Sequence, residues 1–460
     1  VDESLGAREP AGETPAQRET LDPATWQWTA GDRVFLDLLQ KAHALGMHII
    51  IDGVFNHVGE GFWAWQEVRA RGRDSPYAEW FEVTEWTETY GFAPEGSSSS
   101  LRPRKWNGWS GPGTSMVRVA RRGDGLHPDF ERHIFDITRR WMDPNGDGDP
   151  SDGVDGWRLD VADAIPHGFW RRWRTLVKSI NPQALIIGEI WGEASPWLHG
   201  DEFDAVMNYS FAMPTVRFFR SAARFPATDY VAAFEQVLDR HSWSTNLAMQ
   251  NLLDSHDTDR IASMLANTER PYDRQNRPDQ PDSDYDAGEP NEAAYQRLRL
   301  ASFLQFTWVG APLVYYGTEV GMYGADDPFD RGPMWWALDR PDSQGRAARA
   351  ERHADLRAWY RTLTAMRARH PALRRGRVRS VLADDARRVL AYIRWTADER
   401  LLVILNAGGD ATRVRLDVGS NAQSAAVVFP TESDGPDVNG GYVELDLKRS
   451  SGTVLKLTDR

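Results

Sequence analysis

Repeatedly along this chain a short β-branched run stops at a charged side chain. "MHIIIDGVFNH" (47–57) ends at Asp52, Asn56 and His57, and "DGWRLDVAD" (155–163) at Arg158 and Asp160. "ALIIGEIW" (184–191) ends at Glu189, and "FDAVMNY" (203–209) and "LAMQNLLDSHD" (247–257) repeat the pattern, the last at His256 and Asp257. Between the runs lie stretches with the apolar spacing of helices: "GDRVFLDLLQKAHALG" (31–46), "HGFWRRWRTLVKSI" (167–180) and "AAYQRLRLASFLQF" (293–306), the last followed by a strand "APLVYYGTE" (311–319). Alternating strands and helices, with strands that are apolar throughout, predict a parallel sheet buried on both faces. Chemistry-bearing side chains gathered at strand carboxyl ends favour a (β/α)8 TIM barrel, whose chemistry sits on that rim. A doubly wound open sheet is the competing fold, and the chain has no glycine-rich phosphate loop to support it.

Two stretches interrupt the alternation. Residues 58–126 are rich in Trp, Gly and Ser, include "SSSS" at 97–100, and are long enough to form an inserted B subdomain or a lid. Residues 268–292 are polar and Pro-rich and read as an exposed excursion. After the helical "RHADLRAWYRTLTAMRARH" (352–370) come short alternating runs such as "RVLAYIRW", "LLVILNA" and "GTVLKL". Spaced at turn intervals, these predict an all-β sandwich over 373–460.

Composition narrows the partners. A net charge of −13 over 460 residues argues against nucleic acid or an anionic membrane surface. No apolar run approaches the roughly 18 residues of a membrane span. With no cysteine there are no disulfides or thiolate metal sites. The first twenty residues are polar and carry no signal-peptide core, so the compartment stays open between secreted or periplasmic and cytoplasmic. The 20 tryptophans suit either core packing or sugar-stacking platforms, and "GFWAWQ" (61–66), "KWNGW" (105–109) and "PMWW" (333–336) lie in loop-like sequence.

Any one of the strand-end acids could be a helix cap or a loop ion pair. Together, Asp52, His57, Arg158, Asp160, Glu189, His256 and Asp257 occupy matching positions on separate strands, which points to acid–base or glycosidic chemistry. A retaining glycosidase needs an ionised carboxylate as nucleophile and a protonated acid about 5–5.5 Å away. Arg158 and Asp160 share a strand face, so the guanidinium should keep Asp160 ionised. Glu189 follows an apolar run with no cation beside it in sequence, so burial should raise its pKa and suit it to be the general acid. In "NLLDSHDTDR" (251–260), Asp259 and Arg260 read as a solvated loop pair and Asp254 as structural.

"DGVFNH" (52–57), "GWRLDVAD" (156–163), "GEIW" (188–191) and "LLDSHDTDR" (252–260) resemble the four ordered regions of the α-amylase family, glycoside hydrolase family 13, with strings nearest the neopullulanase and cyclomaltodextrinase branch. The resemblance implies Asp160 as nucleophile, Glu189 as acid/base, and Asp257 as the acid that holds the sugar hydroxyls. It implies that His57, Arg158 and His256 line the sugar ring next to the scissile bond and that Asp52 supports the site. "DDPFDRGPMWW" (326–336) likewise resembles a family segment in which Asp327 and Arg331 contact the same glucose. Asp163 and Ala164 stand where many members carry Lys-His, and "SMVRV" (115–119) lacks the proline of the family's short segment there. Hydrolysis and transfer therefore both stay open.

By the same resemblance the strand ending at Asp52 is the third of eight, so six barrel strands are expected here. The expected parts are a partial barrel over 1–57, a B subdomain over 58–126, the rest of the barrel over 127–372 and the sandwich. The first two strands would come from an N-terminal segment outside this chain or from a homo-oligomer. The implied function is cleavage of α-1,4 links in α-glucans (starch, maltooligosaccharides, pullulan or cyclodextrins) without a cofactor for the chemistry. A transglycosylase or glucan isomerase on the same site, and a non-catalytic glucan-binding barrel, are the alternatives. Finally, "MDPNGDGDPSDG" (142–153) places Asp143, Asn145, Asp147 and Asp149 at alternate positions, with Asp152 beyond. That spacing resembles the start of a calcium loop, and a polar Asp/Gly turn is the other reading.

Overall fold

The computed structural model describes residues 20–88, 101–220, 225–273, 276–280, 283–336 and 345–459. "SSSS" and most of the polar N-terminal stretch lie outside these. The chain divides into two compact units, one of residues 1–190 with 194–206, the other of residues 191–193 with 207–460.

In the first unit the helix Ala30–Ala44 begins at a capping box, in which Thr29 accepts from the Asp32 amide and Asp32 from the Thr29 amide. The β-branched runs then form four parallel strands, β1 (Ile50–Gly53), β2 (Gly156–Leu159), β3 (Leu185–Gly188) and β4 (Ala205–Val206), paired in that order. Register sets Asp52 opposite Arg158 and Leu159 opposite Gly188. Close strand approach requires Gly156, where a Cβ would lie 2.4 Å from the Leu185 carbonyl oxygen. The helices Pro128–Met142 and His167–Ile180 cover the sheet. The second buries Phe169, Trp170, Trp173 and Val177, a helical spacing; its three aromatic rings meet Phe55, and Trp173 also meets Trp157. Two indole N–H groups there find acceptors: Trp170 donates to the Ala162 carbonyl at 2.9 Å and Trp173 to Thr138 Oγ1 at 2.9 Å.

The inserted stretch holds regular elements. Its described part holds a helix Trp63–Arg71, a hairpin of Val83–Glu88 with Leu101–Trp106, and a strand Met116–Arg118 paired to His57–Gly59. Of the two readings open for Trp63 and Trp65, core packing is the one found: their helix packs them against Trp80, Phe81 and Trp106.

In the second unit the helix Glu292–Thr307 is buried on nearly all sides, with Asn291 capping it. A parallel strand pair, Gln250–Asn251 with Ala311–Pro312, lies beside it. The strand expected over 311–319 stops at Pro312; Gly317, at φ 86°, turns the chain into a short 3-10 helix. The sandwich is present as a six-stranded sheet, in the order Arg377–Asp384, Val389–Trp395, Arg400–Asn406, Ser451–Asp459, Ala422–Phe429, Ser433–Asp434, and a three-stranded one. Strand alternation is visible at 389–393. Val389, Ala391 and Ile393 join the core between the two sheets, while Leu390 and Tyr392 join the core shared with the helices. Among the described residues no helix is long and apolar enough to cross a membrane.

Candidate active site

The strand ends of the first unit converge on one guanidinium. Arg158 Nη1 donates to Asp52 Oδ1 at 2.8 Å and to Asp160 Oδ1 at 2.9 Å, and its Nη2 lies 2.9 Å from Glu189 Oε2. The neighbouring strand fixes each acid's backbone: the Asp160 amide donates to the Gly53 carbonyl at 3.2 Å and the Glu189 amide to the Leu159 carbonyl at 2.9 Å. Val161 sits at φ 46°, a costly conformation for a β-branched residue, and its amide reaches Glu189 Oε2 at 3.0 Å. The turn after the strand thus gives Glu189 a donor that no spacing in the sequence announces.

The geometry changes the electrostatic expectation. Burial pushes the Asp160 carboxyl up, more than Arg158 pulls it down, and the negative charges of Glu189 and Asp52 add to the rise. Nor is Glu189 without a cation, because Arg158 bridges to it from the adjacent strand. Division of the two acids by one arginine, read along the sequence, was too simple: a guanidinium has two ends. The three carboxylates in turn hold Arg158 firmly charged against its own burial. His57 is half-buried, and burial followed by the charge of Arg118 lowers its pKa. Its ring nitrogen Nδ1 meets Asn56 Nδ2 at 3.2 Å, and Asn56 is gripped by Arg121, a partner the sequence reading missed.

The second unit gathers the other named residues. His256 Nε2 lies 3.2 Å from Asp257 Oδ2, and Arg331 Nη2 lies 3.2 Å from Asp257 Oδ1. Arg331 Nε also donates to the His256 carbonyl at 2.8 Å and meets Asp327 Oδ1 at 2.8 Å. Asp254 is structural as expected: buried, it accepts from the Ile261 amide and from Thr318 Oγ1, each at 2.9 Å. Asp259 and Arg260 are not a solvated pair. Asp259 is 1% exposed, accepting from Tyr285 and Asn276, and burial raises its pKa to about 6. Arg260 is fully buried, donates to the carbonyls of Asp330 and Tyr316 and stacks over Tyr315 and Tyr316. Asn276 and Tyr285, both buried, also show that the excursion over 268–292 is not exposed throughout.

In the loop after Met142, Asp143 accepts from the amides of Gly146 and Gly148, each at 2.9 Å. Asn145, Asp147 and Asp149 each accept from the amide two residues on. One Asp152 oxygen is buried without a hydrogen-bond partner, and burial together with the charges of Asp143 and Asp147 raises that carboxyl's pKa. This donor chemistry suits a hard cation. As placed, however, no three acidic or histidine side chains among the described residues are gathered closely enough to hold a metal ion.

A parallel α/β arrangement with acids at the strand ends, followed by an all-β C-terminal domain, defines a class seen in known proteins. Residues 31–376 match the alpha-amylase catalytic domain. Neopullulanase 2 of Thermoactinomyces vulgaris is 34% identical over 92% of this chain and 62% of its own length. Cyclomaltodextrinase of Thermoanaerobacter pseudethanolicus is 31% identical over 92% of this chain and 60% of its own. Among solved structures, a cyclomaltodextrinase superposes with a TM-score of 0.71 at 27% identity, covering 92% of this chain and 62% of that one. An acarbose-soaked debranching enzyme of Nostoc punctiforme has a TM-score of 0.68 at 25% identity, covering 98% and 86%. The chain belongs to the alpha-amylase family, and its architecture is that family's TIM barrel with a C-terminal all-β domain. It spans about three-fifths of the length of the curated relatives it matches.

Proposed function

We propose that the chain is the catalytic part of a retaining hydrolase of α-1,4 links in α-glucans. One observation carries the reading: Arg158 holds Asp160 and Glu189 on its two terminal nitrogens. That arrangement suits the separation of about 5–5.5 Å that a double displacement needs. Asp160 attacks the anomeric carbon and forms a glycosyl ester while Glu189 gives its proton to the departing sugar oxygen. Glu189 then takes a proton from water, which opens the ester and restores both groups. Arg158 stabilises the ionised form of Asp160, opposing part of the effect of its burial. Asp52 and His57 support the sugar held at these two acids; by the family resemblance Asp257, which Arg331 and His256 orient, and Asp327 are assigned to sugar hydroxyls. The relatives' names support starch-derived oligosaccharides, pullulan or cyclodextrins as substrates.

The Glu189→Gln variant tests this. Loss of the general acid removes about 10²–10⁴-fold of the rate, so release of reducing sugar from maltooligosaccharides should all but stop. Retained turnover in that variant would overturn the assignment. Longer or rearranged sugars among the products would shift the reading to transfer on the same acids. We also propose a structural calcium ion on Asp143, Asn145, Asp147, Asp149 and Asp152, taking no part in the chemistry.

A further inference from the structure

We propose that Arg121 is a positioning residue of the sugar site: through Asn56 it decides which nitrogen of His57 carries the proton. The inference rests on the reading of the first unit's acids as a glucan site in which His57 supports the sugar. Arg121 opens a two-residue strand, Arg121–Arg122, paired with Gly125–Leu126 at the end of the inserted stretch. Its guanidinium donates to three uncharged oxygens: the Val119 carbonyl at 2.7 Å, the Ala164 carbonyl at 2.8 Å and Asn56 Oδ1. Ala164 ends the short 3-10 helix that follows Asp160. One side chain thus joins the inserted stretch to the turn behind the nucleophile and to the neighbour of His57. Its bond at Ala164 is to the backbone, so the departure from the family's residues at 163 and 164 leaves it in place.

A guanidinium has donors and no acceptor. The Asn56 atom that meets it is therefore the amide oxygen, and the amide nitrogen faces the other way, 3.2 Å from His57 Nδ1. An amide nitrogen donates as well, so Nδ1 has to accept, and it carries no proton. The His57 proton then sits on Nε2, which leaves that nitrogen as the ring's donor to a sugar hydroxyl. Turning the Asn56 amide over would set its N–H groups against the guanidinium. Asn56 is fully buried, and its backbone carbonyl accepts from the Val119 amide at 3.1 Å, so the clash would fall where an unmatched donor is costly. A charged ring, protonated on both nitrogens, would meet the Asn56 N–H in the same unfavourable way. Burial and the charge of Arg118, opposite His57 in strand register, also disfavour it.

The test compares Arg121→Met, Arg121→Lys and Asn56→Asp with the unaltered chain. Nitrogen-15 NMR of the 11 histidines reads each tautomer, the His57 signals being assigned by their loss in His57→Gln. Turnover of maltohexaose is followed beside it. The unaltered chain should hold the His57 proton on Nε2. Arg121→Met frees the Asn56 amide to turn, so the tautomers should mix and kcat/KM should fall roughly tenfold, the worth of about one hydrogen bond. Lysine also has donors only, so Arg121→Lys should restore the Nε2 tautomer and most of the turnover. In Asn56→Asp the carboxylate only accepts, and a proton should move onto Nδ1. A proton on Nδ1 in the unaltered chain would overturn the inference, whatever the variants do. An unchanged tautomer in Arg121→Met, with turnover and melting temperature both lowered, would overturn it in favour of a structural role. The expected tautomers in a chain that cleaves no glucan would overturn the hydrolase reading alone, leaving Arg121 to set the His57 proton.

Discussion

At the scale of single residues the site is organised by Arg158, and the order of effects around it is testable. Burial raises the Asp160 pKa, and the guanidinium lowers it. Removing the cation in Arg158→Gln should therefore raise that pKa further. The nucleophile proposed here must be ionised to react, so the acid limb of the kcat/KM profile should move to higher pH by roughly 1–3 units, the usual effect of an adjacent opposite charge. A limb that stays in place, or moves to lower pH, would show that Arg158 does not govern Asp160. The three-way contact was only half legible in the sequence. Arg158 and Asp160 sit two apart on one strand, which alternation makes plain. The bridge to Glu189 depends on which strand lies next to which, and spacing along a chain does not contain that. Val161 was invisible for a different reason: nothing in its chemistry announces a left-handed backbone.

At the scale of elements, alternation and helical period located the parallel strands, most of the sandwich strands and the helices over 31–46, 167–180, 293–306 and 352–370, because burial on one or both faces imposes those periods directly; the helices Pro128–Met142, Tyr209–Arg220 and Ala227–Arg240 went unread. Boundaries erred where a turn intervened, as at Gly317, and where polar residues turned inward, as at Asp259, Asn276 and Tyr285. A charged residue near a strand end reads as exposed until a buried partner is known. The loop after Met142 is the element whose role can be settled most cheaply. Its Asp152 carboxylate is raised in pKa by burial and by two neighbouring acids, a cost that a divalent cation would relieve. Millimolar calcium should raise the melting temperature of chelator-treated protein, and Asp152→Asn should abolish the rise. An unchanged melting temperature would leave the loop as a self-capped turn.

Across the whole molecule, two features have consequences that can be measured. In the second unit, Asp259, Asp330 and Asp273 are raised to about 6, 7 and 8, by burial in each case, with repulsion from nearby acids adding to it at Asp259 and most of all at Asp273. Acids with raised folded pKa favour the folded state while protonated, so their contribution is full below the unfolded pKa near 4 and fades as pH rises through about 6–8. The melting temperature should fall between pH 6 and pH 8.5, and Asp273→Asn should flatten the fall; an equally steep fall in that variant would exclude Asp273 as a source. In the first unit, Val34, Leu38, Leu45, Met47, Ile50 and Val54 are exposed, and among the described residues β1 has a strand partner on one side only. An apolar patch beside an open sheet edge promotes association. Sedimentation velocity should show concentration-dependent association that Leu38→Lys with Met47→Lys reduces, and a monomer at every concentration would contradict this. Family membership was legible in four short strings, which together carry Asp52, His57, Arg158, Asp160, Glu189, His256 and Asp257 in order.

The central claim is that Asp160 forms a covalent bond to the sugar. Its most direct test is mass spectrometry of the chain after incubation with a fluorinated glucosyl fluoride, whose good leaving group lets the ester form and whose ring fluorine slows its hydrolysis. The account predicts one added sugar, on the peptide that contains Asp160, and no label in Asp160→Asn. A label on another residue, with Asp160 unmodified, would contradict it.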